Sequence, residues 1–170
     1  HKNVVPLQVD LSSTYNQFLT ATKFWLGDGM VSNKLALANT KSRIRMVTLY
    51  QVAGSVGGVV VGTGNKVEDY GIGFYTKYGD GGVDIAPIAD LYKTEVWELG
   101  KFLGVDSRIV EAKPTDGLWD DGRTDEDQLG ASYAELEEAM ETGSGPGLEV
   151  LQRFNKMNQH KMQPIPTFTL

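Results

Sequence analysis

Residues 59–84 read VVVGTGNKVEDYGIGFYTKYGDGGVD, and the fold that the sequence predicts depends on this stretch. It begins with three consecutive valines, an apolar run that is typical of a strand buried on both faces. The run leads into a first glycine turn, GTGN at residues 62–65, and a second glycine turn, KYGDGG, follows at residues 77–82. Open α/β folds bind nucleotides where such a turn follows the carboxyl end of a strand. The stretch therefore predicts an α/β fold that binds phosphate.

The residue types within the two glycine turns favour a binding role over a simple change of chain direction. Glycine has no Cβ, so backbone N–H groups can approach an anion closely. Phe74, Tyr75 and Tyr78 lie beside the second turn and could form a wall on which a flat ring stacks. A glycine turn is more often only a turn. An ordinary loop therefore stays the alternative to a nucleotide site.

Composition narrows the possible classes of protein. The 170 residues are 22% charged and 41% apolar, which is typical of a globular domain. The net charge of −6 argues against nucleic acid or an anionic membrane surface as the main partner. Without cysteine there is neither a disulfide nor a thiolate metal ligand, and two histidines are too few for a histidine zinc site. No apolar run is long enough to span a bilayer, and we expect a cytoplasmic protein.

The order of elements predicts a single α/β domain over residues 1–170. We expect an open, mostly parallel sheet flanked by helices, Rossmann-like and incomplete at the amino-terminal end, because the sequence offers only two or three strands. The sequence also opens without Met, so we expect the carboxyl-terminal part of a longer polypeptide. The expected strands and extended segments are residues 4–9, 59–61 and 84–88. The first expected helix begins at Ser12 or Ser13, and further helices are expected at residues 33–53, 94–103, 132–141 and 148–157. The acidic segment 117–130 is expected to be a solvated loop.

Five segments, in order, resemble the NAD synthetases, which belong to the adenine-nucleotide α-hydrolase superfamily with a pyrophosphatase loop. They are NTKSRIRM (39–46), VVGTGNKVEDY (60–70), GFYTKYGDGGVDIAPIADLYKTEV (73–96), KPTDGLWDDGRTDEDQLGASYAEL (113–136) and QHKMQPIP (159–166). The resemblance, closest to the ammonia-dependent type, implies ATP-dependent amidation of deamido-NAD to NAD. The reaction passes through an acyl-adenylate and releases AMP and pyrophosphate. The resemblance also implies Mg²⁺ as cofactor, ammonia as the nitrogen donor and a homodimer.

The resemblance assigns a role to nine residues of this sequence. It implies ATP contacts at Thr63, Lys93 and Thr115, deamido-NAD contacts at Arg43, Lys77, Asp84, His160 and Lys161, and a magnesium ligand at Glu68. Judged from the residues alone, Glu68 could equally be an ordinary glutamate at a helix start, and Arg43 a surface arginine of a helix. Residues 9–52 carry more apolar side chains than one thin sheet could cover, among them Phe18, Phe24, Trp25, Leu37 and Tyr50. We therefore expect the two helices of this segment to make the dimer contact.

The sequence departs from the family in one respect that leaves alternatives open. The SGGxDS loop, which in the family cradles pyrophosphate and supplies a metal-binding aspartate, does not occur in these residues. One alternative is a truncated, catalytically incompetent fragment that acts as a nucleotide-binding or dimerisation module. Another is a GMP-synthetase-like amidotransferase, which shares the adenylation chemistry but not the KYGDGGVD segment. Glutamine-using relatives carry an additional amino-terminal domain, so glutamine also stays open as the nitrogen donor.

Overall fold

The computed structural model describes residues 3–30, 33–119 and 121–168. These ranges contain seven α-helices and one π-helix, Val67–Ile72. The α-helices are α1 (Ser12–Met30), α2 (Lys34–Val56), α3 (Lys93–Phe102), α4 (Ser107–Val110), α5 (Asp125–Leu129), α6 (Tyr133–Thr142) and α7 (Leu148–Met162). None of the described helices combines the length and the apolar character that crossing a bilayer requires.

The predicted open, mostly parallel sheet is wrong for the described residues, which form no β-strand. The expected strand at residues 59–61 and the expected extended segment 84–88 meet in one parallel bridge, between Val61 and Ile85. Gly62 N–H donates to Ile85 O at 2.7 Å, and Val5, in the expected first strand, is 90% exposed. A parallel pair leaves half of its backbone groups unpaired unless further strands flank it. Because no other described segment pairs with this bridge, it does not extend into a sheet.

The helix ends follow local signals that the sequence already contains. Asn33 caps α2 by accepting a hydrogen bond from Ala36 N–H, and α2 ends at Gly57, whose φ is +67°. The Ser132–Glu135 capping box that starts α6 is confirmed. Helix α7 continues to Met162, five residues beyond the predicted end at Met157. The structure does not test the prediction of a single domain over residues 1–170.

The acidic segment 117–130 is only partly the solvated loop that we expected. Its second half forms α5, which begins with a capping box between Thr124 and Asp127. Leu129 at the end of α5 is 1% exposed and belongs to the core. Asp120 lies outside the described residues. The burial of Leu129 fixes this half of the segment against the rest of the domain.

The core lies between the π-helix, α5 and α6. Its fully buried members are Val67, Ile72, Leu129, Tyr133 and Leu136, and residues of α3 and α7 pack around them. Asn155 and Asn158 of α7 donate side-chain N–H groups to the carbonyls of Gly71 and Ile72, at 3.0 and 2.8 Å. These bonds give partners to the carbonyl groups at the end of the π-helix. The core thereby fixes the π-helix, which carries Glu68, immediately after the first glycine turn.

Candidate functional site

The first glycine turn passes into the π-helix through the side chain of Asn65. This residue is 1% exposed, and its Oδ1 accepts hydrogen bonds from Val67 N–H at 3.0 Å and Glu68 N–H at 3.2 Å. Asn65 N–H in turn donates to Glu68 Oε2 at 3.3 Å. The buried asparagine therefore starts the π-helix and keeps the Glu68 carboxylate beside the turn. π-Helical turns of this kind are frequent at functional sites.

Glu68 is paired with Lys93, the first residue of α3. The Lys93 Nζ lies 3.3 Å from Glu68 Oε1, and the side chains of Lys93 and Glu68 are 20% and 15% exposed. At this degree of burial the attraction is screened less than in a surface ion pair. The structure thus brings together the predicted magnesium ligand and one predicted ATP contact, at the first glycine turn.

Two further residues of this site, Tyr133 and Asp125, were missed by the sequence analysis. The Tyr133 hydroxyl donates to Glu68 Oε1 at 2.7 Å and lies 3.3 Å from Asp125 Oδ2. Asp125 is 7% exposed, and its Oδ1 has no hydrogen-bond partner among the described residues. Burial, with Glu68 nearby, raises the pKa of Asp125 to about 6, and the same two causes raise the pKa of Tyr133. The TDED motif, in which Thr124 and Asp127 form a capping box, was an available signal for a helix in this segment.

Asp69 is a third acidic group at the first glycine turn, and sequence reasoning missed it too. A Cβ added to Gly64 would lie 2.3 Å from Asp69 Oδ1, so the turn packs directly on this carboxylate. Burial, followed by the charges of Glu68 and Asp80, raises the pKa of Asp69 to about 6. Position 64 therefore needs glycine because Asp69 occupies the space of a side chain.

Four of the predicted deamido-NAD residues form a second cluster at the end of α7. Arg43 Nε donates to Lys77 O at 3.2 Å, and Lys77 Nζ donates to His160 O at 2.5 Å. Lys161 Nζ donates to two carbonyls of the segment 73–75, at 2.9 and 2.7 Å. Burial lowers the pKa of Lys161. This cluster fastens α2 and α7 to the second glycine turn.

The second glycine turn is tightly held against α2. Ser42 Oγ donates to Asp80 Oδ1 at 2.7 Å, and Thr76 N–H donates to the same oxygen at 3.0 Å. A Cβ added to Gly79 would lie 2.2 Å from Ser42 Oγ. Tyr78, within the turn, has a φ of +62°, which is uncommon for a residue other than glycine. These contacts require the glycine at position 79.

The remaining predicted residues lie outside both clusters. Asp84 accepts Val60 N–H at 2.7 Å and the Tyr50 hydroxyl at 3.2 Å. Thr115 donates its hydroxyl to Arg123 O at 3.2 Å. Thr63 is exposed in the first glycine turn. No hydrogen bond among the described residues joins Asp84 or Thr115 to the Glu68 group or to the α7 cluster.

A cleft of about 490 Å³ opens between α2, the segment 74–80, the segment 116–119 and α7. Its size is within the usual range of small-molecule sites. Its aromatic lining residues are Phe74, Tyr75, Trp119 and Phe154, and its charged ones are Arg45, Asp80, Asp116 and Lys161. Lys161 is the one member of the nine predicted residues, all within the described ranges, that lines it. The cleft combines flat aromatic walls with two cations and two carboxylates, and the aromatic walls suit a flat ring.

The acidic residues at the first glycine turn fit a cation that substrate phosphates help to hold. The described residues contain no group of three or more His, Asp or Glu side chains arranged to hold a metal by themselves. Mg²⁺ does not require such a group, because it usually takes one or two carboxylates together with phosphate oxygens and water. Glu68 provides this carboxylate, with its Oε2 3.3 Å from Asn65 N–H in the turn. A carboxylate oxygen of this kind suits Mg²⁺.

Comparison with known proteins identifies the family. Residues 4–167 match the family model described as NAD synthase. The chain belongs to the NAD synthase family. The resemblance inferred from the five sequence segments is therefore confirmed.

Two curated relatives within the NAD synthase family are named NH₃-dependent NAD⁺ synthetases. The protein of Carboxydothermus hydrogenoformans is 40% identical over 163 residues, which are 95% of this chain and 65% of the relative. The protein of Archaeoglobus fulgidus is 46% identical over 157 residues, which are 89% of this chain and 62% of the relative. The chain therefore spans less than two thirds of the length of these two NAD synthase relatives.

Two solved structures are similar to the chain as well. The NMN synthetase of Francisella tularensis superposes with a TM-score of 0.86 at 33% identity, covering 99% of this chain and 68% of that protein. The NH₃-dependent NAD synthetase of Campylobacter jejuni superposes with a TM-score of 0.71 at 24% identity, covering 95% of this chain and 64% of that protein. The second likeness, at this identity, shows the fold alone.

Proposed function

We propose that the protein acts in NAD biosynthesis, as an ATP-dependent ligase that amidates deamido-NAD to NAD with ammonia. The observation that carries this proposal is the Glu68–Lys93 pair beside the first glycine turn, 3.3 Å apart, in a chain of the NAD synthase family. The names of the two curated relatives support ammonia as the nitrogen donor. We place the reaction in the cytoplasm.

The proposed reaction has two steps. In the first, a carboxylate oxygen of the nicotinate ring attacks the α-phosphorus of ATP, the bond to the β-phosphate breaks, and pyrophosphate leaves. In the second, ammonia attacks the acyl carbon, the bond to the AMP oxygen breaks, and a proton is released from nitrogen. Both steps need groups that offset negative charge and exclude water from the acyl-adenylate.

The ATP side of the site is proposed at the first glycine turn. Lys93 offers an ammonium group to the phosphates, and the Thr63 hydroxyl together with the backbone N–H groups of Thr63 and Gly64 offers hydrogen-bond donors. Glu68 is proposed to hold Mg²⁺, which offsets the charge of the triphosphate when it is bound. Thr115 is proposed as a further ATP contact. The partial burial of Glu68 and Lys93 supports these roles, because charge interactions are stronger where water is excluded.

The deamido-NAD side is proposed at the α7 cluster and the aromatic cleft next to it. Arg43, Lys77, Asp84, His160 and Lys161 are the proposed contacts. The cations among them suit a dinucleotide pyrophosphate, and the aromatic walls of the cleft suit a flat ring. Lys77 and Lys161 each donate to backbone carbonyls, which supports an additional role in shaping the second glycine turn.

We further propose a homodimer formed through α1 and α2. Phe24 and Trp25 are 83% and 82% exposed, and their rings stack edge to face with centroids 5.3 Å apart. Two large adjacent aromatic side chains in water are unfavourable unless a partner covers them. Phe18 and Tyr50, at 47% and 36% exposure, extend the apolar surface to both helices.

The similarity to the NMN synthetase of Francisella tularensis, which superposes over 99% of this chain, favours nicotinate mononucleotide as a second candidate substrate. The same adenylation and amidation on nicotinate mononucleotide would give NMN instead of NAD. The roles of Glu68 and Lys93 would be the same for both substrates. The two substrates would differ in whether the site also binds the second nucleotide of the dinucleotide.

The test uses the full-length gene product that contains these residues. Product formation is measured by mass spectrometry with ATP, Mg²⁺ and ammonium, supplying either deamido-NAD or nicotinate mononucleotide. A kcat/KM that is higher for deamido-NAD supports the first candidate, and a higher value for the mononucleotide supports the second. Absence of AMP release with both substrates would refute the proposed ligase function. Glutamine in place of ammonium serves as the control for the nitrogen donor.

A further inference from the structure

The hydroxyl group of Tyr133 lies between two carboxylates. It is 2.7 Å from Glu68 Oε1 and 3.3 Å from Asp125 Oδ2. A phenol has one proton to donate, so it cannot serve as donor to both. The shorter contact favours Glu68 as the acceptor. Asp125 is left with the longer contact on Oδ2, and its Oδ1 has no hydrogen-bond partner within the part of the chain that the structure describes.

The position of this hydroxyl is fixed by the packing of the Tyr133 ring in the core. Tyr133 is 0% exposed and packs with Leu129 and Leu136. Its ring meets Trp97 edge to face, with centroids 6.2 Å apart. Its backbone N–H donates to Glu126 Oε1 at 3.0 Å. Because interiors are close-packed, the ring cannot turn away without disturbing these neighbours.

The hydrogen bond from Tyr133 determines which oxygen of Glu68 remains available. Among the described residues, Oε1 accepts from Tyr133 and Lys93, whereas Oε2 accepts only from Asn65 N–H, at 3.3 Å. Oε2 therefore keeps acceptor capacity on the side of the first glycine turn. A glutamate side chain loses conformational entropy when it is ordered. The contact with Tyr133 orders this side chain before any ligand arrives.

We propose that Tyr133 is a positioning residue that holds Glu68 with Oε2 presented to a divalent cation at the first glycine turn. This inference rests on the proposed function, in which Glu68 holds Mg²⁺. Core packing alone does not account for the hydroxyl, because phenylalanine would fill the same space without burying a polar group. A buried hydroxyl that donates to the Glu68 carboxylate at 2.7 Å is accounted for by a role at the cation site.

The principal test is Tyr133→Phe in the full-length gene product, which removes the hydroxyl and keeps the ring. Mg²⁺ binding is measured by calorimetry with a non-hydrolysable ATP analogue present, so no turnover is needed. Loss of a group that orients a metal ligand typically weakens metal binding by about 10- to 100-fold, and we expect a loss in this range with an unchanged KM for deamido-NAD. Tyr92→Phe, another tyrosine packed against the core, is the matched control and should bind Mg²⁺ normally. Mg²⁺ affinity within about twofold of the parent in Tyr133→Phe would overturn the proposal.

Parallel measurement of Glu68→Gln separates this inference from the proposed function. If Glu68→Gln loses Mg²⁺ affinity and Tyr133→Phe does not, the metal role of Glu68 stands and the positioning role of Tyr133 is refuted. If Glu68→Gln also binds Mg²⁺ normally, the proposed metal site itself is wrong. In the double variant, the proposal predicts that Tyr133→Phe adds little to the loss already caused by Glu68→Gln.

Asp125→Asn provides a second variant in case Tyr133→Phe does not fold. It removes a buried charge and introduces an amide N–H that can donate to the Tyr133 hydroxyl. The single phenolic proton then has Glu68 as its one carboxylate acceptor, so we expect Mg²⁺ affinity that is unchanged or tighter. A loss as large as that of Glu68→Gln would make Asp125 a metal ligand in its own right and would overturn the arrangement proposed here.

Discussion

The ammonium group of Lys93 and the carboxylate of Glu68 lie 3.3 Å apart, at the start of α3 and in the π-helix. In the proposed site these two residues act on the same triphosphate, one as a cation and the other through Mg²⁺. Their pairing keeps each charge compensated before substrate arrives, since an unpaired charge at this degree of burial would be costly. Removal of either partner therefore affects both stability and nucleotide binding.

The first prediction concerns Glu68→Gln, which retains shape and removes the charge. We expect a decrease in the adenylation rate of about 100-fold or more, because the proposed metal ligand is lost, while deamido-NAD still binds. Pyrophosphate release at saturating ATP and a titration with deamido-NAD measure the two effects. Glu138→Gln, an exposed position on α6, is the control. A rate for Glu68→Gln equal to that of the parent would contradict the assignment.

The second prediction concerns the fit of the second glycine turn against α2. In Gly79→Ala the new Cβ would lie 2.2 Å from Ser42 Oγ and 2.8 Å from Thr76 Cβ. We expect the free energy of unfolding to fall by about 1–3 kcal/mol because of this overpacking. Gly54→Ala within α2 meets nothing within 4 Å and should stabilise the protein by about 0.5–1 kcal/mol. Urea denaturation of both variants measures the difference, and equal effects would refute the close contact.

Local signals predicted the helices of this chain well, because a cap and its helix are neighbours in sequence. Asn33 and Ser132 each accept a hydrogen bond from a backbone N–H three residues ahead, as their side chains allow. The sheet was not predicted correctly, because a strand depends on partners that are remote in sequence. The valine run at residues 59–61 has the composition of a strand, yet among the described residues it finds a single parallel bridge.

In the candidate site, too, contacts between residues far apart in sequence could not be predicted from local patterns. The family resemblance pointed to Glu68 and Lys93, and the structure brings these two together. The contact between Tyr133 and Glu68 spans 65 positions, and no local pattern in the sequence links them. Asp125 was overlooked because a polar, acidic segment usually lies in solvent. Its burial follows from Leu129, four residues later, which enters the core.

The third prediction concerns Lys161, whose ammonium group donates to the carbonyls of Gly73 and Tyr75. Lys161→Met leaves both carbonyls without this donor, so we expect a loss of about 1–3 kcal/mol in the free energy of unfolding. The KM for deamido-NAD should rise as well, because the segment 73–75 that leads into the second glycine turn loses its hydrogen bonds to α7. Lys156→Met, an exposed lysine of the same helix, should change neither quantity. A higher KM with unchanged stability would show that Lys161 acts on the substrate alone.

The fourth prediction concerns the proposed dimer contact. Trp25→Asp places a charge on the exposed apolar surface of α1, where Trp25 is 82% exposed. Aromatic residues at the centre of an interface are typically worth about 2 kcal/mol or more, so we expect the dimer dissociation constant to rise about 30-fold or more. Sedimentation velocity at micromolar concentration measures it. Phe102→Asp, on the exposed surface of α3, is the matched control. A parent protein that is monomeric at this concentration would contradict the dimer.

The last prediction concerns the pH dependence of stability that Asp125 causes. Its pKa is raised from the model-peptide value of 3.8 to about 6 in the folded protein, mainly by burial. A raised pKa means that the folded state holds the proton more tightly than the unfolded state. The contribution of this proton to the free energy of unfolding is therefore fully present below about pH 3.8 and is lost as the pH rises through about 6. Relative to the protonated form, ionisation of this carboxyl costs on the order of 3 kcal/mol above pH 6.

Asp125→Asn should accordingly stabilise the Mg²⁺-free protein near pH 7.5, with a gain that shrinks towards pH 4. Urea denaturation across this range measures the effect, and Asp90→Asn, with a side chain that is 95% exposed, is the control. Parallel pH profiles for Asp125→Asn and the parent protein would refute the burial of a titrating carboxyl at this position.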